Sequence, residues 1–229
     1  MLGLAAGDRI GGPTQMAIRV AESLVGSGRF DSEDVLHRYL AWWRAEGFDT
    51  GPTADSVFRK IASGAAPLEA CREVDLEANG FTAGCNPAHR SIALAFSPLS
   101  DDELVSAVQD EARLTHWHPL AGDVAVATVR SCRALSRGRS WPEALNEGAE
   151  GRLPETQRAF APAEVEDLSP SGYAPDVLRA ALWFVGHSAD LDEALRRSIA
   201  FAGPANYCPV LVGSLGGTRW GIGGLSHDW

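Results

Sequence analysis

The sequence predicts an all-α fold. Three observations carry that prediction: apolar residues recur at helical spacing along most of the chain, three Ser/Asp–x–x–Glu boxes stand ahead of apolar runs, and evidence for strands is thin. In chain order, Met16, Val20 and Leu24 stand at i, i+4 and i+8 with Ala17 and Ala21 beside them, and Gly26 and Gly28 stop that helix. Asp31 or Ser32 caps the next, whose stripe is Val35, Leu36, Tyr39, Leu40 and Trp43, and Gly47 ends it. Ser100 and Glu103 make a capping box ahead of Leu104, Val108 and Leu114. Val124 to Leu135 is a strongly apolar helical run. Ser140 and Glu143 make a second box, with Pro142 in the first turn. Residues 151–172 are polar and Pro-containing, and read as a surface loop able to act as a lid. Val177 to Val185 is a further apolar helix, and Asp190 and Glu193 open the last boxed one before Leu195 and Ile199. Val210 to Leu215 lies in a Gly-rich tail and suits a short strand or a helix.

The chain has 229 residues, 45% of them apolar, which suffices for a sizeable core and excludes a disordered chain. No linker divides it, so one domain over residues 1–229 is expected. No stretch approaches the ~18 apolar residues that span a bilayer. Met1 to Asp8 lacks a basic n-region, so the expected location is the cytoplasm, with no membrane partner. A net charge of −10 argues against nucleic acid as a partner, because phosphate binding needs clustered Lys and Arg. Cys71, Cys85, Cys132 and Cys208 form no CxxC pair and no zinc spacing, and read as buried small residues.

Six loop-to-helix junctions are unusual for a plain bundle: residues 3–17 (GLAAGDRIGGPTQMA), 48–53 (FDTGPT), 82–91 (TAGCNPAHRS), 115–123 (THWHPLAGD), 171–183 (SGYAPDVLRAALW) and 201–222 (FAGPANYCPVLVGSLGGTRWGI). In order and character they resemble the ADP-ribosylglycohydrolase family, which includes the dinitrogenase-reductase-activating enzymes. The resemblance covers nearly the whole chain. It implies an orthogonal helical bundle that hydrolyses ADP-ribose from a protein side chain, or a related ADP-ribosyl bond, around a pair of Mg ions. Those ions need oxygen ligands, chiefly carboxylates.

The departures from the family pattern fall on the ligands. Gly7 and Asp8 match the opening loop, but the chain then runs Ile10-Gly11-Gly12-Pro13 straight into Thr14-Gln15-Met16-Ala17. Gly12 and Pro13 stand where the family has its first metal aspartates. Pro204 and Asn206 replace both aspartates of the C-terminal Gly-Asp-Ala-Asp-Thr motif, and Tyr207 replaces its threonine. The expectation is no metal and no cofactor. The diphosphate loop of the family corresponds to Gly84-Cys85-Asn86-Pro87-Ala88-His89-Arg90, where Gly84 and Arg90 match; His116 matches a family histidine near the nucleotide.

The expected catalytic residues are therefore Asp8, His89 and His116. The expected ligand-binding residues are Thr14, Gln15, Asp49, Gly84, Cys85, Asn86, Arg90, His118, Asn206 and Tyr207. Histidine titrates near neutral pH and can protonate a leaving group without a metal. Asp8 reads first as a cap, and otherwise as the carboxylate that stabilises an oxocarbenium-like state or activates water. Asp49 reads as a turn residue before a site residue. Trp42, Trp43 and Trp183 are expected in the core, while Trp117, Trp220 and Trp229 suit either packing or base stacking. Segments 7–15, 84–90, 115–119 and 203–208 should converge on one pocket. The leading functional expectation is a metal-independent hydrolase of an ADP-ribosyl, nucleotide or ribosyl conjugate, such as a small molecule. The alternative is a catalytically inactive module that binds ADP-ribose or a nucleotide; a helical scaffold without ligand is the third.

Overall fold

The structure, a computed structural model, describes residues 1–226, so Trp229 lies outside the described residues. These residues form thirteen α-helices and two short 3-10 segments, with no strand among them. In order they are α1 Leu2–Asp8, α2 Gly12–Ser27, α3 Ser32–Ala45, α4 Pro52–Ala62, α5 Pro67–Glu77, α6 Asn86–Arg90, α7 Asp101–Ala112, α8 Pro119–Ser136, α9 Trp141–Ala149, α10 Pro154–Arg158, α11 Ala174–Gly186, α12 Leu191–Ala202 and α13 Tyr207–Trp220. The 3-10 segments are Ser91–Phe96 and Val165–Asp167, so residues 151–172 hold one five-residue helix and one 3-10 turn in otherwise irregular chain. Among the described residues no helix is long and apolar enough to cross a membrane.

Local chemistry sets the helix ends. Asp31 caps α3 by accepting from Glu33 and Asp34 N–H. Full capping boxes open α7 at Ser100–Glu103 and α9 at Ser140–Glu143. At α12 Asp190 accepts from Glu193 N–H, but the Glu193 carboxylate reaches back to Ala189 N–H rather than to the cap itself. The middle of the bundle is α8, where Val124 to Val129 are all fully buried. Trp42 is buried, Trp43 and Trp183 pack half-buried against the core, and Trp220 stacks beneath the Arg219 guanidinium.

Two features of the fold position the site. The apolar run Val210 to Leu215 is helical, within α13, and packs against α1 at glycines. A methyl group on Gly3 or Gly213 would strike the other's carbonyl, and one on Gly7 would strike the Pro209 carbonyl. This close approach brings the end of α1 up to the start of α13. The turn from α1 to α2 takes only Arg9, Ile10 and Gly11, and Arg9 and Ile10 both adopt left-handed backbone angles. Asp8 is thereby folded back over the first turn of α2.

Candidate active site

The N-terminus of α2 has no capping side chain of its own, because Gly11 sits at the cap and Pro13 lacks an N–H. Two carboxylates from elsewhere take that role. Asp8 Oδ2 accepts from Thr14 N–H at 2.7 Å and from the Thr14 hydroxyl at 2.5 Å. Asp49 Oδ2, from the turn before α4, accepts from Gly12 N–H at 3.2 Å. The partial positive charge of a helix start favours both. Asp49 is itself held at a left-handed φ of 50°, a strained conformation for a non-glycine residue. The Asn206 side-chain nitrogen lies between the two, 2.9 Å from Asp8 Oδ1 and 3.2 Å from Asp49 Oδ2. Burial, with Asp49 nearby, raises the Asp8 carboxyl above the ordinary range, and the Thr14 and Asn206 bonds oppose that shift.

Beside this pair lies a cavity of about 150 Å³, lined by Pro13, Asp49, the start of α4 at Gly51–Ala54, Gly84, Cys85, Asn86, His89, His116, Gly172, Asn206 and Tyr207. All four segments expected to converge reach it. The loop ahead of α6 is pinned on two sides. Asn86 Nδ2 donates to the Thr50 carbonyl, while Cys85 N–H donates to Gly172 O and Ala174 N–H to Ala83 O. The Tyr207 ring stands at the mouth against Gly172, where a methyl group would come within 3.2 Å of it.

The remaining predicted residues lie elsewhere. Thr14 is buried beneath Asp8, and Gln15 is half-buried on α2 away from the cavity lining. Arg90 is fully buried behind the loop. Its Nε donates to Glu111 Oε1 at 2.5 Å, its Nη2 to the Glu111 carbonyl and its Nη1 to Asn86 Oδ1. Glu111 also accepts from the Tyr39 and Ser91 hydroxyls. The guanidinium thus orders the loop from the inside and presents nothing to the cavity. His118 caps α8, its Nδ1 accepting from Leu120 N–H, and faces a second, larger cleft with Trp117 and Arg152. As individual site residues Glu111, Gly51–Ala54 and Gly172 were not named; the junctions 48–53 and 171–183 signalled Gly51–Thr53 and Gly172, whereas nothing local pointed to Glu111 or Ala54.

The histidines differ from expectation in their chemistry. His89 Nε2 lies 2.9 Å from the Tyr207 carbonyl, which can only accept, so the ring proton sits on Nε2. Burial pushes the His89 imidazole down to about 4, with the Tyr207 carbonyl opposing and Arg90 adding. His116, bonded through Nδ1 to the Thr115 hydroxyl, is held well below its ordinary value by burial, then by Arg90 and His89. Both rings are neutral at pH 7, so neither is the cationic general acid that an unperturbed histidine suggests. Cys85, whose thiol burial pushes up to about 12, is no thiolate either.

A stability consequence follows. Both histidines titrate lower in the folded chain than their unfolded value near ~6.5. Between about pH 6.5 and 4 the unfolded chain binds protons that the folded chain excludes, so stability falls as pH drops through that window. The His89 shift alone corresponds to about 3 kcal/mol. Urea denaturation from pH 7.5 to 4 should show this decline, and His89→Gln should flatten it. An unchanged slope in that variant would contradict the buried neutral imidazole.

At the loop-to-helix junctions of this helical bundle, one carboxylate, two amides and two imidazoles wall a small cavity of a kind suited to a ligand. The sequence profile of the ADP-ribosylglycohydrolase family matches residues 12–229, and the chain belongs to that family. It is 24% identical over 216 residues to the ADP-ribosyl-[dinitrogen reductase] glycohydrolase of Rhodospirillum rubrum, covering 94% of this chain and 70% of that one. It is 22% identical over 235 residues to the ADP-ribosylarginine hydrolase Tri1 of Pseudomonas putida (strain GB-1), covering 94% of this chain and 60% of that one. Among solved structures, an ADP-ribosylglycohydrolase-related protein complex matches with a TM-score of 0.78 at 26% identity, over 100% of this chain and 88% of that chain.

Proposed function

We propose that this chain hydrolyses an ADP-ribosyl, nucleotide or ribosyl conjugate without a divalent ion, and that Asp49 is the group that meets the sugar. The observation that carries this reading is the placement of Asp49. Its Oδ2 is held by Gly12 N–H and Asn206, which fixes the carboxylate while the residue lines the cavity. Ribosyl cleavage passes through an oxocarbenium-like state, and a fixed carboxylate can stabilise the cation or take a proton from attacking water. His89, with its proton directed at the Tyr207 carbonyl, offers Nδ1 as an acceptor. The cavity is smaller than the ~300–1,000 Å³ that encloses drug-sized ligands, and suits one sugar ring, with the rest of a small-molecule conjugate outside. Because both histidines are neutral, the wall offers no strong acid, and the reading favours labile leaving groups.

The donor set supports independence from metal. Family-type Mg ions need several oxygen ligands in near-octahedral order. Position 12 is glycine, and any side chain there would run into the Asp49 carbonyl. Prolines occupy positions 13 and 204. The two carboxylates that remain, Asp8 and Asp49, already accept from Thr14, Gly12 and Asn206. Among the described residues no group of three His, Cys, Asp or Glu side chains is placed to hold an ion. The residues present do not fit the family's metal pair.

The test is turnover of ADP-ribosylarginine and of a 4-nitrophenyl riboside before and after EDTA. Rates should be unchanged by the chelator. Loss with EDTA and recovery with Mg would overturn metal independence. Calorimetric binding of ADP-ribose with no turnover of either substrate would make the chain a binding module instead, a reading that the missing acid favours.

A further inference from the structure

Asn206 stands at the cap of α13, where its carbonyl accepts from Val210 N–H, so its backbone is fixed. Both contacts of its side-chain nitrogen are carboxylate oxygens, which only accept, so the NH₂ end faces them and one proton goes to each. The two carboxylates are crowded. A methyl group on Gly11 would lie 2.6 Å from Asp49 Oδ2 and 2.8 Å from Asp8 Oδ1, so Gly11 sits in the angle between them. Among the described residues no lysine or arginine is paired with either, and Arg90 is engaged by Glu111. Two neighbouring carboxylates repel, and partial positive charge must replace the missing cation. Here it comes from the start of α2 and from one amide.

We infer that Asn206 is a positioning residue whose amide nitrogen takes the place of a bound cation between Asp8 and Asp49 and so helps to close the site to divalent ions. The inference rests on the metal-independent reading above and goes further, because it gives Asn206 an active part beyond the ligands missing at positions 12, 13 and 204. Replacing the amide by a carboxylate removes the bridging donor and adds a third hard oxygen ligand at the same point. Asn206→Asp should therefore carry three converging carboxylates, a set suited to Mn²⁺ or Mg²⁺. Asn206→Ala should leave two unbridged carboxylates and a weaker version of the same site.

The probe is Mn²⁺ alone, followed by the loss of its free-ion electron paramagnetic resonance signal and by thermal denaturation, on wild type, Asn206→Asp and Asn206→Ala. Wild type should leave the ion free. Asn206→Asp should melt lower than wild type without metal, recover when Mn²⁺ is added, and bind the ion at least about tenfold more tightly than wild type. Asn206→Ala, which adds no charge and serves if the aspartate variant does not fold, should also gain binding, lost again in Asn206→Ala combined with Asp49→Asn. A purely structural asparagine would lower stability in both variants with no gain of metal. No gain in either folded variant overturns the inference and leaves the metal-independent reading standing. Wild type binding Mn²⁺ as tightly as Asn206→Asp overturns both.

Discussion

Arg90→Ala should lower the stability of the fold by about 3–5 kcal/mol, the cost of removing one partner from a buried ion pair. Both side chains of the Arg90–Glu111 pair are fully buried, so the change leaves the Glu111 carboxylate inside without its cation. The Glu111 carboxylate would keep only the Tyr39 and Ser91 hydroxyls as donors. The face of Tyr39 would also lose the cation 5.1 Å from its ring centroid. Urea denaturation at pH 7 should show the midpoint falling with the slope unchanged. Arg90→Ala combined with Glu111→Ala should cost less than the two single changes added, because no unpaired charge then stays inside. A single-variant loss below about 1 kcal/mol would contradict the fully desolvated pair. Asn86 depends on the same guanidinium through its Oδ1, so the loop ahead of α6 should loosen as well. Any loss of ligand affinity in Arg90→Ala should then be an effect of loop order, although the family resemblance places this arginine against a diphosphate.

What was legible in the sequence was local. The boxes at Ser100–Glu103 and Ser140–Glu143 close over three residues, and their side chains decide the helix starts without help from the rest of the chain. Val210 to Leu215 was ambiguous because it is short and lies in a Gly-rich tail. α13 is helical, and Gly213 lets α1 pack against it, which is a tertiary fact. Asp8 read first as a cap, and it does cap α2, from six residues upstream of Thr14. The same distance rule hid the rest. Asp49 meets Gly12 across 37 positions and Arg90 meets Glu111 across 21, with no periodicity linking either pair.

The histidines show a different limit. Sequence supplies the intrinsic basicity of imidazole, whereas burial sets the effective one. His116 and His118 are two residues apart, yet His116 lies between the small cavity and the larger cleft while His118 lines only the larger cleft, where it caps α8. The convergence of the four loop segments was expected from the family resemblance, since nothing in their spacing brings them together.

If Asp49 rather than a histidine meets the sugar, the variants should rank accordingly. Asp49→Asn keeps an oxygen for Gly12 N–H and nearly the same shape, so the cap of α2 survives and stability should change by less than about 1 kcal/mol. The negative charge facing the cavity is lost. Turnover should fall by about 10²–10⁴-fold, the range for removal of a positioned acid–base group, with the loss in kcat and KM nearly unchanged. His89→Gln retains a donor for the Tyr207 carbonyl and should cost less than about tenfold, because a neutral imidazole supplies geometry and an acceptor rather than a proton. The reverse ranking, with His89→Gln nearly inactive and Asp49→Asn close to wild type, would return the catalytic role to the imidazole and reduce Asp49 to a helix cap.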